Sequence, residues 1–189
     1  IHHLQDFNGG KGALVEFYNN KELAGEPAKT EYYNDLNFST FGAWGFAEGV
    51  NRDTLSVRVS GQYTSNFTGE MKYTLMTDNG YVLKVNGEVV EENKGGGRRG
   101  FGFGRRVEYK SFPVEAGRTY DIVIESKHGN GQFAMLRGDI CERKLVDFTE
   151  LANEVKSADA IIIIGGISAG MEGEGGDKQD IELPKVQQM

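Results

Sequence analysis

The stretch from Met71 to Val90 constrains this chain most, because its side chains alternate between apolar and polar on both sides of two turn sequences. A period of two is typical of a strand that buries one face. The turn sequences are Asp78–Gly80 and Asn86–Gly87. Asn-Gly favours a tight hairpin, since both residues tolerate a positive φ. The stretch therefore predicts a three-stranded antiparallel meander.

Further stretches of the chain alternate in the same way. They lie at Ala13–Phe17, Leu55–Val59 and Tyr120–Ile124, and we predict further strands at Val107–Val114, where the alternation changes parity, and at Phe133–Arg137. Residues 21–54 carry clustered aromatic side chains without a clear period, so we expect a long irregular connection whose rings partly cover the sheet. About seven or eight short antiparallel strands predict a mainly β fold, an antiparallel β-sandwich or barrel.

Charge and composition exclude several classes of function. The 189 residues carry a formal net charge of −7, so we expect no bulk binding of nucleic acid or of an anionic membrane. The one cysteine, Cys141, cannot form an internal disulfide and is not grouped with histidines, so no metal site is expected. The longest apolar run, Ala158–Ile167, is far shorter than the ~20 residues that span a bilayer. Nothing in the sequence predicts a cofactor.

The pattern changes after Cys141. Asp147 and Glu150 have the spacing of a capping box, and apolar residues then recur at helical spacing. This predicts an amphipathic helix at residues 148–157. Ala160–Ile164 is a continuous apolar run, which is typical of a strand covered on both faces in a parallel sheet.

These features predict a β-domain over residues 1–143 and part of an α/β domain over residues 144–189. The chain begins at Ile1 and ends at Met189 in what looks like a helix just starting, so we interpret it as a segment of a longer protein. A single buried strand needs neighbours. We expect the edge at residues 160–164 to dock on its own β-domain or to pair with a second copy, as a homodimer.

Residues from about 12 to 140 resemble the PA14 (protective antigen fourteen) domain, a β-sandwich or barrel found in carbohydrate-active enzymes, adhesins and toxins. The matching sequences are Gly12–Asn20 with Leu23 and Gly25, Leu55–Gly61, Thr77–Gly87 and Val114–Gly117. In sugar-binding members of this family, two aspartates at the position of Asp78 and Asn79 hold calcium. The asparagine removes a charge that a hard cation prefers. We therefore expect a structural turn there, without calcium-dependent lectin activity.

Residues 149–188 resemble the α/β sandwich domain of glycoside hydrolase family 3, the β-glucosidases and β-xylosidases. The match comprises Ala158–Ala160 with the isoleucine run, Gly165–Gly166, Glu172–Lys178, Leu183–Pro184 and Gln187. Several members carry a PA14 domain inserted just before this helix and strand. The resemblance implies a fragment of a retaining exo-acting β-glycosidase, with an oligosaccharide or glycoside as substrate. It also implies that the parent hydrolase is periplasmic or secreted.

Three carboxylates lie within six residues on a glycine-rich loop, at Glu172, Glu174 and Asp177. We expect mutual repulsion to raise the pKa of at least one carboxyl, and glycoside hydrolysis needs a protonated carboxyl group beside a second carboxylate. The charges alone are also typical of a solvated acidic loop. The family resemblance places the general acid/base on Glu174, with Glu172 as the alternative. The family's nucleophilic aspartate lies in a separate barrel domain, so we expect this chain alone to be inactive.

Residues 94–106 are rich in glycine and arginine and contain no acidic side chain. Three interpretations stay open. The simplest is a mobile loop between two strands. Arg-Gly-Phe mixtures can also bind RNA, although the acidic chain argues against it. Finally, in some homologous enzymes a loop of the inserted domain reaches over the active-site pocket. The resemblance then implies that Phe101 and Phe103 stack on a sugar ring while Arg105 binds hydroxyl or uronic acid groups.

Two classes of function remain. The first is a glycosidase fragment that supplies the general acid/base and a wall of the substrate pocket, and whose partner is the remainder of the parent hydrolase. The second is a carbohydrate-binding or adhesive module without catalysis, which rests on the β-domain alone.

Overall fold

The computed structural model describes residues 3–40, 46–51, 53–95, 109–128, 134–142 and 148–160. Within these residues, a 3-10 helical segment at His3–Gly9 precedes ten strands. The strands are β1 (Ala13–Tyr18), β2 (Lys29–Tyr33), β3 (Leu36–Ser39), β4 (Leu55–Thr64), β5 (Gly69–Thr77), β6 (Tyr81–Val85), β7 (Glu88–Asn93), β8 (Lys110–Val114), β9 (Thr119–His128) and β10 (Met135–Glu142).

The chain divides into two compact units, residues 1–97 with 109–143 and residues 98–108 with 144–189. The first unit contains the ten strands. In the second unit, the described part is helix α1 (Phe148–Glu154) followed by a 3-10 turn at Val155–Ser157. This agrees with the helix expected at 148–157. The strand expected at 160–164 lies almost wholly outside the described residues, and the domain boundary at 143/144 stays a prediction.

The strands form two antiparallel sheets that pack face to face. One sheet has six strands in the order β2-β1-β4-β9-β6-β7, and the other has four in the order β3-β10-β5-β8. A single core cluster joins them, with Val15 and Phe17 from the larger sheet and Met71 and Ile140 from the smaller one. Burying each large apolar side chain contributes about 1.5–3 kcal/mol. The prediction of an antiparallel β-sandwich is confirmed.

The predicted meander is wrong in one of its two turns. β6 and β7 form the hairpin expected around Asn86–Gly87. β5, in contrast, pairs with β8 and β10 in the four-stranded sheet, while β6 pairs with β9 in the other. The turn at Asp78–Gly80 therefore carries the chain from one sheet to the other. Alternation reports that a strand has one buried face, and it carries no information about which sheet the strand joins.

The expected irregular connection over residues 21–54 contains two strands, β2 and β3. β2 pairs with β1, and β3 pairs with β10. Both are short, which hides their period. The expectation that rings from this stretch cover the sheet holds for Tyr33, Phe38 and Phe46, which pack against Phe17 at centroid distances of 6.2, 5.4 and 6.3 Å.

In the part of the chain that the structure describes, no helix has both the length and the apolar character to cross a membrane.

A row of alternating charges crosses the outer face of the six-stranded sheet. Arg58 on β4 bonds Glu125 on β9 at 3.2 Å and lies 3.7 Å from Glu16 on β1. Lys84 on β6 reaches the other oxygen of Glu125 at 2.7 Å. Burial alone would raise the pKa of the Glu125 carboxyl, but hydrogen bonds from Lys84 and Arg58 hold it below its ordinary value. The row links four neighbouring strands.

This row predicts a pH dependence of stability. The unfolded chain takes up the Glu125 proton near the ordinary pKa of 4.5, while the folded carboxylate takes it up at lower pH. The stabilisation is therefore complete above this range and is lost as the pH falls through the folded pKa. We expect Glu125→Gln to flatten the fall in the free energy of unfolding below pH 4.5, measured by urea unfolding at several pH values. Parallel pH profiles for both proteins would contradict this.

Candidate functional site

The predicted site residues Glu172, Glu174, Phe101, Phe103 and Arg105 lie outside the described residues. The described part does contain both ends of the segment that carries the last three. β7 ends at Asn93 before this segment, and β8 begins at Lys110 after it. β7 is one of the two edge strands of the six-stranded sheet, and β8 is one of the two edge strands of the four-stranded sheet.

The Asp78–Gly80 turn contains a carboxylate, that of Asp78, which forms its hydrogen bonds inside the sandwich. Asp78 Oδ1 accepts hydrogen bonds from the Nδ1 atom of His128 and from the backbone N–H of Met135 at 2.8 Å. The side chains of His128 and Asp78 are only 0% and 8% exposed. Among the described residues, no group of three or more His, Cys, Asp or Glu side chains is placed to hold a metal ion. These contacts support the prediction of a structural turn.

Gly80 in this turn is packed against the start of the 94–109 segment. Its φ is +106°, and a Cβ atom there would overlap the carbonyl oxygen of Asn93 and the backbone of Gly95. Gly95 in turn has a φ of +65°, and a Cβ there would overlap the carbonyl of Asn79. The Asn93 side chain accepts the Gly95 N–H at 2.9 Å. Two glycines therefore allow close backbone contact that any side chain would prevent.

A partly buried carboxylate lies on the strand that ends at Asn93. Glu91 on β7 accepts a hydrogen bond from the Tyr73 hydroxyl at 2.9 Å and forms an ion pair with Lys110 on β8. Burial alone would raise the pKa of the Glu91 carboxyl, but hydrogen bonds from Lys110, Tyr81 and Tyr73 hold it below its ordinary value. Glu91 is therefore ionised at neutral pH, which suits a structural anion and not a proton donor.

Two tyrosines, Tyr73 and Tyr81, also belong to the cluster around Glu91. Burial, and next the hydrogen bond to Glu91, raise the pKa of both Tyr73 and Tyr81 well above the usual value. Both hydroxyls keep their protons at neutral pH, and the Tyr73 hydroxyl donates a hydrogen bond to the carboxylate at 2.9 Å. Among the described residues, this cluster combines a charged pair with two buried hydroxyls in the space between the edge strands.

Sequence reasoning missed the cluster, although one signal was available. Glu91 is paired with Leu83, whose side chain is fully buried, and Lys110 is paired with Tyr73. Directly paired residues project from the same face of a sheet. Both charges therefore point inward from edge strands, a device that discourages edge-to-edge aggregation. The available signal is Lys110, which alternates in phase with the buried residues Phe112 and Val114, whereas Glu91 can be recognised only once the strand pairing is known.

A shallow depression of about 290 Å³ lies on the outer face of the six-stranded sheet. Tyr32 on its rim is 46% exposed. Gln62 donates to Asp121 at 2.9 Å, and the Gln62 N–H donates to Asn8 at 3.0 Å, so these planar polar groups are held in place. An exposed ring beside fixed amide and carboxylate groups can bind a small polar ligand.

The fold is an antiparallel sandwich of two sheets. The Glu91–Lys110 ion pair links an edge strand of one sheet to an edge strand of the other. A model described as the PA14 domain matches residues 9–137, well over half of the chain. The chain belongs to the PA14 domain family.

Relatives known by sequence extend the similarity beyond this domain. The chain is 29% identical to a xylan 1,4-beta-xylosidase of Xylanibacter ruminicola in an alignment 192 residues long, which covers 95% of this chain and 21% of the relative. It is 26% identical to a probable beta-glucosidase H of Emericella nidulans in an alignment 197 residues long, which covers 92% of this chain and 23% of the relative. The chain thus spans about a fifth of the length of the curated relatives it matches. The predicted relation to β-glucosidases and β-xylosidases is confirmed.

Solved structures support the fold. The β-glucosidase of Kluyveromyces marxianus, determined with glucose, matches with a TM-score of 0.67 and 22% identity, over 95% of this chain and 22% of that one. A PA14 sugar-binding domain from an RTX adhesin matches with a TM-score of 0.50 and 16% identity, over 69% of this chain and 89% of that one.

Proposed function

We propose that this chain is the PA14-containing segment of a retaining exo-acting β-glycosidase that removes terminal β-linked sugars from oligosaccharides or glycosides. One observation carries the proposal: similarity to a xylosidase runs through 95% of the chain, far past the PA14 match that ends at residue 137. The segment after the sandwich is therefore related to the enzyme as well. We further propose that the parent acts in the periplasm or outside the cell.

Within this proposal, Glu174 is the general acid/base and Glu172 is the alternative. A retaining mechanism uses one carboxyl group first as acid and then as base, while a second carboxylate forms the glycosyl-enzyme. The second carboxylate belongs to the remainder of the parent hydrolase. Phe101 and Phe103 form an apolar wall of the substrate pocket, and Arg105 binds polar groups of the sugar. Aromatic faces and planar charged groups are suited to these two roles.

A second candidate function is carbohydrate binding without catalysis. The depression beside Tyr32 favours it, because an exposed ring and fixed polar groups can hold a sugar by stacking and hydrogen bonding. Carbohydrate binding of this kind requires only the sandwich. It is compatible with the proposed role as a segment of a β-glycosidase if the parent enzyme uses the sandwich to hold a longer saccharide.

Hydrolysis assays distinguish the two functions. We expect the full-length parent to release the aryl group from nitrophenyl β-glucoside or β-xyloside, and the 189-residue chain to release none, since the nucleophile lies elsewhere in the parent. Hydrolysis by the chain alone would contradict this division of roles. A parent that hydrolyses neither substrate, combined with saccharide binding by the chain that Tyr32→Ala abolishes, would favour the binding module.

A further inference from the structure

The depression on the outer face of the six-stranded sheet lies beside a step in the strand pairing. In the described register, the pairing of β1 with β4 ends with Leu14 opposite Ser60. Further along β4, the backbone N–H of Gln62 donates to Asn8 Oδ1 at 3.0 Å, and Asn8 Nδ2 donates to the carbonyl of Gly12 at 2.8 Å. Residues on both sides of this step line the depression. Its volume of about 290 Å³ is near the lower end of the roughly 300–1,000 Å³ of small-molecule sites, which suits a single sugar ring.

One rim of the depression is an exposed polar pair that is held in a single arrangement. Gln62 on β4 lies opposite Asp121 on β9, and its Nε2 atom donates to Asp121 Oδ1 at 2.9 Å. Asn86 fixes the Asp121 backbone on both sides. The Asp121 N–H donates to Asn86 Oδ1 at 2.9 Å, and the Asn86 N–H donates to the Asp121 carbonyl at 2.8 Å. Because these groups are already ordered, a ligand that binds them loses little affinity to the immobilisation of side chains.

The other rim is aromatic, and the floor between the rims is partly apolar. Tyr32 on β2 lies opposite Leu14 and is 46% exposed. The ammonium group of Lys11 lies 6.0 Å from the centroid of the Tyr32 ring, a cation–π contact that restrains the ring. Leu14, Ser60 and Val123 are paired in one row across three strands and form the floor. An aromatic rim that faces a polar rim suits a pyranose, which has an apolar ring face and hydroxyl groups at its edge.

The charge of the lining decides which sugars fit. Among the described residues that line the depression, Asp121 is the one with a formal charge. Gln62 binds its Oδ1 atom, and Oδ2 has the capacity to accept hydrogen bonds from sugar hydroxyls. Such charge-assisted bonds are roughly twice as strong as neutral ones. The same carboxylate repels a uronic acid. Calcium prefers about 6–8 oxygen ligands, several of them carboxylates, so one carboxylate among the described lining residues does not make a calcium site.

We propose that this depression is a calcium-independent binding site for neutral pyranosides, in which Tyr32 stacks on the sugar ring and the Gln62–Asp121 pair binds its hydroxyl groups. The inference rests on the second proposed function, carbohydrate binding by the sandwich. It adds to that function the charge of the ligand, its independence from a metal ion and the residues that recognise it. The site holds a saccharide without breaking a bond in it.

The test titrates the 189-residue chain with methyl β-glucopyranoside and follows the backbone amides by NMR. We expect the amides of Ser60, Gly61 and Val123 to shift, with the same dissociation constant in the presence and absence of EDTA. At low ionic strength and neutral pH, methyl β-glucuronide should bind about tenfold more weakly, because its carboxylate faces that of Asp121. Asp121→Asn should remove this difference between the two sugars, since it removes the repulsion.

Variants identify the two rims. We expect Tyr32→Ala to weaken binding of the glucoside at least about tenfold, and Tyr32→Phe to keep most of the affinity because stacking needs only the ring. Asp121→Asn should weaken binding of the glucoside about tenfold, since charge-assisted hydrogen bonds become neutral ones. Met76→Ala and Glu70→Gln are the matched controls, because both alter exposed side chains on β5 in the four-stranded sheet. Both controls should bind like the wild type.

The outcomes separate this inference from the proposed functions. If the chain binds the glucoside but Tyr32→Ala and Asp121→Asn bind it as tightly as the wild type, the inference is wrong and carbohydrate binding by the sandwich stands. Shifts that instead cluster at the Asp78–Gly80 turn and disappear with EDTA would lead to the same conclusion. Equal affinity for the glucoside and the glucuronide would refute the selection by charge. If neither sugar binds, the site and the binding function both fail, while hydrolysis by the full-length parent would still support the glycosidase.

Discussion

Replacing Glu174 by Gln in the full-length parent is expected to lower kcat on ordinary alkyl glycosides by about 10²–10⁴-fold, the usual contribution of a general acid/base. The amide keeps the shape of the carboxyl group but cannot deliver a proton to the leaving oxygen. The loss should be much smaller for dinitrophenyl glycosides, because their leaving group departs with little protonation. Comparing kcat/KM across leaving groups of different pKa measures this difference.

Azide provides the second measurement. It attacks the glycosyl-enzyme without help from a base, so it should restore turnover of the Glu174→Gln variant on activated substrates and yield a glycosyl azide. Glu172→Gln is the matched control, since it alters a neighbouring carboxyl group in the same loop. If Glu174→Gln remains active while Glu172→Gln is inactive and rescued by azide, the acid/base role belongs to Glu172.

Replacing Asp78 by Ala in the 189-residue chain is expected to lower the free energy of unfolding by about 3 kcal/mol. The change removes the acceptor for both the fully buried His128 ring and the Met135 N–H. Each donor would be left without its partner inside the sandwich, at the point where the chain crosses between sheets. Urea unfolding followed by far-ultraviolet circular dichroism measures the loss.

Asp35→Ala is the control for this prediction, because it removes an exposed carboxylate from the short connection between β2 and β3. We expect it to change stability very little. An Asp78→Ala variant as stable as Asp35→Ala would show that the buried contacts contribute nothing. Calcium-dependent sugar binding by the unaltered chain that Asp78→Ala abolishes would also refute a purely structural role of the turn.

The sequence predicted those features that depend on local pattern. Strand β1 at Ala13–Tyr18, the hairpin around Asn86–Gly87 and the helix from Phe148 all follow from the spacing of apolar side chains and from turn chemistry. Each signal involves residues close together in the chain, so no knowledge of the rest of the molecule is needed. The motif at Glu172–Lys178 is likewise a local signal, and the acid/base assignment that it supports stays a prediction.

Strand pairing was beyond the reach of the sequence. Nothing in the alternation around Met71 shows that β5 joins β8 and β10 while β6 joins β9. Both arrangements bury the same side chains, so hydrophobic pattern cannot distinguish them. β2 and β3 were missed for a related reason, because strands of five and four residues show too few periods to stand out from their surroundings.

The sequence by itself thus determined the class of the fold and the related enzymes, because period, turns and motifs are properties of neighbouring residues. Only the tertiary structure decided that Asp78 binds His128 and that Glu91 meets Lys110 and Tyr73. These partners lie far apart in the chain or on different sheets, and they meet because the turn at Asp78–Gly80 moves the chain from one sheet to the other. In the sequence, Asp78 looks like an ordinary turn residue, and Glu91 and Lys110 look like surface residues. In the structure, Asp78 forms a buried pair with His128, and Glu91 and Lys110 form an ion pair between edge strands of the two sheets.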